Sequence, residues 1–375
     1  MLYRAVLPRT TDVAIVGGGP AGAAAALTLA RAGVAVVLLD AGRPRLAVGE
    51  TLPPASRPAL DALGLSASMA AEGHLPSVGS WSAWGGAEPW GRDFLFNRFG
   101  HGWHLDRRRF DALLRATARA AGACIVAPAA VVASDARVGG GFRLRLAGGR
   151  EIDATIVLDA SGRGASFARQ RGVKRHAIDR MVALVGYVAR RADAETEPAA
   201  TLVEAVAEGW WYSAPLPQDR LATVLMTDAD LADCADALTT SWLDRLAAAE
   251  HTAARSLRYG AGLAGPPSIA AAVSGRLERF GGADWMALGD AAATQDPLSS
   301  EGILVAIESG IDAARAVVRT LDGQRDALMA ATDRREAAWR SYLDQRASNY
   351  AKERRWPEAP FWRRRTQQGE RRRVA

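Results

Sequence analysis

Residues 12–40, DVAIVGGGPAGAAAALTLARAGVAVVLLD, constrain the fold more than any other stretch: an apolar run, a glycine turn, a helix-forming run and a second apolar run ending in an acid. Gly17, Gly19 and Gly22 form GxGxxG directly after the run Val13 to Val16. At such a turn only a residue without a side chain lets the backbone reverse sharply and approach a pyrophosphate. Pro20 and Ala21 lie inside the motif, and Ala23 to Ala32 predicts a helix whose first amides and dipole would face the phosphates. Asp40 follows Gly22 by 18 residues, with Ala41 next to it, at the offset where an acid accepts hydrogen bonds from a ribose. The stretch predicts a dinucleotide site and leaves FAD and NAD unseparated.

At 375 residues the chain has room for one large core or two interlocked domains. Its 49% hydrophobic and 23% charged residues are those of an ordinary folded protein. No apolar run reaches membrane-spanning length, and MLYRAVLPRTTD at the start is too short and polar for a secretory signal, so a cytoplasmic enzyme with no membrane partner is expected. Cys124 and Cys234 lie far apart, without CxxC, and His74, His101, His104, His176 and His251 form no HExxH, so neither a metal site nor a disulfide is expected. The net charge of +6 is carried almost wholly by arginine, Lys174 and Lys352 being the only lysines, and implies no nucleic-acid partner. Basic residues concentrate in RRWPEAPFWRRRTQQGERRRVA, Arg354 to Ala375. That tail could contact an acidic partner or dock on its own domain through Trp356, Phe361 and Trp362.

Further along, GETLPPASRPALDALGL (49–65) reads as a loop and a short helix with Pro58 in its first turn. Residues 75–104, rich in Gly and Trp, read as a β-region. In Asp106 to Gly122 the spacing of Phe110, Leu113 and Leu114 predicts a helix capped by Asp106. Strands are expected at about 124–132, 142–148 and 152–159. Residues 176–275 read as antiparallel strands with one helix around Ala235 to His251, a sheet suited to sheltering a substrate. A strand, a loop and the helix Ile303 to Val318 follow, then a helical segment over 325–355 packed on the outside. The expected domains are a discontinuous nucleotide-binding domain (1–75, 100–175, 276–322), a substrate domain (76–99, 176–275) and a C-terminal helical and basic tail (323–375).

Three motifs carry a family resemblance. HLDRRRFDALL (104–114) resembles the Arg-x-x-Phe-Asp helix of class A flavin monooxygenases, which implies that Arg107 approaches the FAD pyrophosphate. IVLDASGRGASFAR (156–169) is similar to the strand end and turn of that superfamily, with Asp159, Ala160, Gly162 and Arg163 at the turn. WMALGDAAATQDPLSSEGI (285–303) resembles its Gly-Asp motif, which implies Gly289 and Asp290 at the ribityl chain and Pro297, Ser300, Gly302 and Ile303 facing the flavin. An isoalloxazine gains from amides at a helix N-terminus, because reduced flavin is an anion. The implied fold is α/β: a Rossmann-like FAD-binding domain of the glutathione-reductase type, interlaced with a mostly antiparallel substrate sheet and followed by C-terminal helices.

The finer resemblance is to the flavin-dependent tryptophan halogenases and their non-halogenating relatives, through Gly49-Glu50-Thr51, GWWYSAPLP (209–217) and DPLSSEGI. Halogenases use a lysine soon after Gly-Glu, yet this chain has none before Lys174. Ser299 and Glu301 replace the glutamate and threonine of the Asp-Pro-Leu-Glu-Ser-Thr-Gly-Ile stretch, and Tyr212 and Ala214 replace a tryptophan and an isoleucine. Halogenation is therefore disfavoured. The pattern most resembles the flavoprotein monooxygenases that modify peptidyl tryptophan during biogenesis of the cysteine tryptophylquinone cofactor. That resemblance implies oxygen insertion into an indole through a C4a-hydroperoxide of reduced FAD, with O2 as co-substrate. Electrons would come from NAD(P)H or a separate flavin reductase, since no second GxGxxG is present, and the partner would be a tryptophan-bearing polypeptide. Glu50 and Glu301 are the candidate proton-transfer groups, with His101 and His104 behind them. Trp210, Trp211, Tyr212, Trp84 and Trp103 are candidate pocket walls. Two alternatives stand beside this reading: a flavin hydroxylase, halogenase or reductase acting on a small aromatic or polyketide metabolite, and a non-catalytic FAD-containing assembly factor.

Overall fold

A computed structural model of the chain describes residues 7–43, 50–194, 198–232 and 238–374, with the side chains of 261 and 368–374 left aside. Gly49 and Cys234 lie outside the described residues, as does the start of the helix expected from Ala235.

The glycine stretch folds as its pattern dictates. The strand Thr10–Val16, with Val13 to Ile15 fully enclosed, runs into the helix Pro20–Arg31, and the strand Val36–Leu39 returns beside the first. Val36–Leu39 pairs in parallel with Thr10–Val16 on one side and Cys124–Val126 on the other, and Glu151–Asp159 joins the far side of Thr10–Val16 in parallel, with Trp285–Ala287 beyond it. Phe142–Leu146 and Val131–Ala136 extend that seven-stranded sheet antiparallel. The expected strand at 124–132 is thus two strands, Cys124–Val126 and Val131–Ala136, interrupted at Pro128, whose ring removes the amide that a ladder needs.

The helix Pro20–Arg31 is a run of small residues, so the helix Gly302–Leu321 packs against it at backbone distance. A Cβ on Gly310 would come within 2.3 Å of the Ala21 carbonyl oxygen. Asp106 caps the helix Arg107–Ala120, its Oδ1 accepting from the amides of Arg108 and Arg109, and Phe110, Leu114 and Ala118 bury its inner face.

The second sheet has eight strands. Met181–Arg190, Arg220–Asp228, Gly209–Leu216 and Ala200–Val206 form its antiparallel centre, and Gly79–Ala83 joins parallel to Ala200–Val206. One face is covered by two helices, Leu238–Ala247 and Glu250–Tyr259, where one was expected. The other face meets the C-terminal segment. The helix Ala327–Tyr350 is more enclosed than its charge suggests, with Trp339, Tyr342, Leu343, Arg346 and Tyr350 buried. The tail docks on its own chain: Phe361, Trp362 and Arg365 are buried, and Arg364 and Arg365 pair with Asp228 and Asp230. No helix among the described residues is long and apolar enough to cross a membrane, and no group of three or more His, Cys, Asp or Glu among them could hold a metal ion.

Candidate functional site

The three glycines of the first turn have different physical jobs. Gly17 has φ +113°, and a Cβ there would lie 2.3 Å from the Ala160 carbonyl oxygen; one on Gly22 would lie 2.0 Å from the Gly17 carbonyl oxygen. Both serve the turn's own packing. At Gly19 an added Cβ meets no protein atom within 4 Å, and the helix that begins at Pro20 has no side chain capping its amides. The cradle therefore has an open, donor-rich side of the kind that takes an anion. Asp40 stiffens it: Oδ2 accepts from the Gly18 amide at 2.6 Å and Oδ1 from the Gly42 amide at 2.7 Å, while Ala41 continues the chain. Arg115, which the sequence did not single out, donates from Nη1 to the Gly18 carbonyl at 3.0 Å. The signal for it was helical spacing from Arg107, two turns earlier, on the helix packed against Pro20–Arg31.

Gly289 (φ +49°) brings the second motif onto the first, since a Cβ there would stand 3.2 Å from that of Ala306 and 3.3 Å from that of Ala21. Asp290 follows, part-exposed, with Oδ2 3.7 Å from Arg163 Nε. The bend beyond it repeats the logic of the cradle. Ser300 takes φ +53°, the helix Gly302–Leu321 starts without a side-chain cap, and a Cβ on Gly302 would meet nothing within 4 Å. Pro297 and Leu298 form the turn before it, and Ile303 is buried in the first turn after it. Glu301, exposed at this helix start, has its carboxyl raised by desolvation.

Two expected ligand contacts do not survive. Asp159 is fully enclosed, with Oδ1 accepting from the Ser161 amide and hydroxyl and Oδ2 from the Ala168 amide. It shapes the turn that supports Gly17 through Ala160 and has no open path to a ligand. Trp211 is fully enclosed on the far face of the second sheet, edge-on to Trp242 at 5.6 Å between ring centroids. Strand alternation decides this: Trp210 and Tyr212 face one side and Trp211 the other. Arg107 lies at the start of its helix with Nη2 3.5 Å from Asp111 Oδ1. Trp84 and Trp210 pack edge-on against each other and near Tyr350, and Trp103 is buried beside His101, so these rings are core rather than open walls.

The remaining polar groups converge from four distant segments. Glu50 is 4% exposed and its Oε1 accepts from Tyr187 Oη at 3.4 Å. Tyr212 Oη lies 2.6 Å from Thr51 Oγ1, which lies 3.2 Å from His104 Nδ1, and His104 Nε2 lies 3.2 Å from the Ala199 carbonyl. A carbonyl can only accept, so Nε2 carries the proton; burial pulls His104 down to about 4 and keeps the ring neutral. Nδ1 then accepts from Thr51, and Thr51 accepts from Tyr212, which gives the chain one direction. Burial and the charge of Glu50 push Tyr187 up to about 12 and raise Tyr212 as well. Leu298 of the bend before Gly302 packs into the same cluster as Tyr187 and Tyr212.

That bend is fixed from behind. Asp296 Oδ2 accepts from Tyr350 Oη at 2.8 Å and from Arg346 Nε at 3.1 Å, its Oδ1 accepts from the Leu298 amide, and its own amide donates to Tyr342 Oη at 2.6 Å. Arg346 reaches on to Asp179 at 2.9 Å, and Arg365 lies over the Tyr350 ring.

Comparison with known proteins matches residues 87–373 to the sequence model of the tryptophan halogenases, and residues 11–70 to that of the pyridine nucleotide-disulphide oxidoreductases. LodB of Marinomonas mediterranea, provisionally named an FAD-dependent oxidoreductase, is 29% identical over 94% of this chain and 96% of its own. A tryptophan 2-halogenase of Chondromyces crocatus is 28% identical over 85% of this chain, which spans 63% of that enzyme's length. Among solved structures, the flavin-dependent halogenase CmlS superposes with a TM-score of 0.84 at 27% identity, covering 98% of this chain and 70% of its own. QhpG, a peptidyl tryptophan dihydroxylase essential for tryptophylquinone cofactor biogenesis, superposes with a TM-score of 0.76 at 25% identity, covering 95% and 78%.

Proposed function

Since this chain belongs to the tryptophan halogenase family, within a fold of FAD-dependent oxidoreductases, we propose that it is a monooxygenase that hydroxylates an electron-rich indole, a tryptophan held in a partner polypeptide during maturation of a quinone cofactor. The donor set suits FAD. The open helix starts at Gly19 and Gly302 suit a pyrophosphate and a ring that becomes anionic on reduction, we assign Asp40 and Asp290 to ribose and ribityl hydroxyls, and the two helix starts flank Gly289. When bound, this group supplies electrophilic oxygen derived from O2, the part of the chemistry that no side chain here provides.

One observation carries the choice of oxygenation over halogenation: the chain has no lysine before Lys174, and the segment after Gly49 instead carries Glu50, bonded to Tyr187, next to Thr51, bonded to Tyr212 and His104. Such a set handles protons. Once an oxygen is attached, the ring carbon must shed its proton, and we assign Glu50 to receive it, with Tyr187 Oη donating to Oε1 to hold the carboxylate in place. Tyr212, locked into donation toward Thr51, presents its oxygen lone pair to the same space. Burial of Glu50 and His104 keeps bulk water from those two groups. The structural likeness to a peptidyl tryptophan dihydroxylase supports a polypeptide substrate.

The test is product mass. The reduced, flavin-loaded protein is mixed with O2, halide and either free tryptophan or a tryptophan-bearing candidate polypeptide. Oxygen gained on the polypeptide is the expected result, and Glu50→Gln should lower its rate by about 10²–10⁴ with flavin content unchanged. Incorporated halogen, or turnover of free tryptophan alone, overturns the proposal.

A further inference from the structure

A cavity of about 780 Å³, lined by no residue of either amide cradle, has at its edge Arg163, which also contacts Asp290. Its charged lining is cationic: Arg163, Arg169, Lys174, Arg175 and His176 stand around an apolar wall that includes Val173 and Val273. Arg175 is a fixed charge at the base, donating to the carbonyls of Asp290 and Ala291 and to Thr294 Oγ1. Arg163 is tethered to the Val273 carbonyl at 3.1 Å. Arg169 and Lys174 are exposed and have no ion-pair partner among the described residues. Burial, together with the nearby charges of Arg163 and Arg169, lowers Arg175, as expected where cations crowd without enough counter-charge. The acids acting on it are Asp290, already faced by Arg163, and Asp159, which is enclosed beneath the turn and does not line the cavity.

We propose that this cavity binds the diphosphate group of a nucleotide, as a second site distinct from the flavin cradle. Four permanent cations against the one acid at the rim leave a surplus that two adjacent phosphates match, and arginine forks and an ammonium are the donors that phosphate oxygens take. The volume falls within the several-hundred-Å³ range of small-ligand pockets, and a concave site of this kind fits a small polyanion better than the broad, flat patch an acidic protein would cover. Nothing in this site depends on the oxygenation reading.

Calorimetric titration of the full-length, flavin-loaded protein with ADP tests it, with adenosine, inorganic phosphate and hexaglutamate as parallel probes. ADP should bind while flavin absorbance stays constant, and adenosine should not. Arg169→Ala with Lys174→Ala should weaken ADP by about tenfold or more. Both side chains are exposed and unpaired, so circular dichroism and flavin content should not change. Phosphate weaker than ADP agrees with a diphosphate site. The proposal is overturned if ADP does not bind, if it releases flavin in proportion to its binding, if the double variant binds ADP unchanged, or if hexaglutamate binds more tightly than ADP.

Discussion

His104 shows how one buried side chain reports on a whole cluster. Its ring is neutral because charging it in an enclosed site costs more than a single carbonyl returns. The folded pKa of about 4 lies below the ordinary value of 6.5, so the unfolded chain binds more protons between those two values. Stability from this residue is therefore complete above about pH 6.5 and is lost as pH falls toward 4, by at most about 3 kcal/mol. Chemical denaturation at pH 7 and pH 5 should show this loss, and His104→Gln should reduce the difference between the two. An unchanged difference would mean that other groups carry it. Glu50 and Tyr187 belong to the same scale. Each is an ordinary polar residue until a partner 137 positions away meets it, which is why the spacing of Glu50 pointed to a site and not to its neighbour.

The glycine turn with its helix, taken as an element, separates what packing requires from what a ligand requires. Gly17 and Gly22 are needed by the turn itself, whereas a Cβ added at Gly19 meets no protein atom within 4 Å and its φ of −76° suits any residue. Gly19→Val should fold with a melting temperature within a few degrees of the parent and purify without flavin colour, because the added methyls occupy phosphate space. Retained flavin absorbance would remove the cradle from the site. The strand Gly209–Leu216 makes the complementary point. Its composition marked Trp210, Trp211 and Tyr212 equally, and the register against Arg220–Asp228 sent Trp211 to the helix-covered face. The helix Glu250–Tyr259 went unread for a related reason: its charged residues and Arg255 hide a stripe that is buried only once the sheet is there to cover.

Across the whole molecule, the C-terminal helices act as the backing of the bend before Gly302. Asp296 at the base of that bend is tied to Tyr350 and Arg346, Arg346 to Asp179 just before the strand Met181–Arg190, and the tail closes over Tyr350 through Phe361, Trp362 and Arg365. Removing the charge by Asp296→Asn leaves Arg346 half-compensated in a buried place and should cost about 3–5 kcal/mol. The same change should weaken flavin binding, read by fluorescence titration, whereas the equally buried Trp211→Ala should lose about 3–5 kcal/mol of stability with flavin affinity intact. Equal flavin affinity in the Asp296 variant and the parent would show that the bend holds its shape without the helices.

Local pattern alone determined the parallel strand-turn-helix-strand unit, the Asp106 cap and the helix after the bend, because each rests on residues within a few positions of one another, and the family motifs implied the class of fold. Tertiary structure decided which aromatic faces the site, that Asp159 serves the turn, that Arg115 braces the cradle and that Glu50, Tyr187, Tyr212 and His104 share one enclosure. Apart from the local bonds that bury Asp159, those outcomes depend on strand register and on contacts between segments about 50 to 160 residues apart, whose geometry is set by the packing of whole sheets and helices and leaves no periodic trace in the chain.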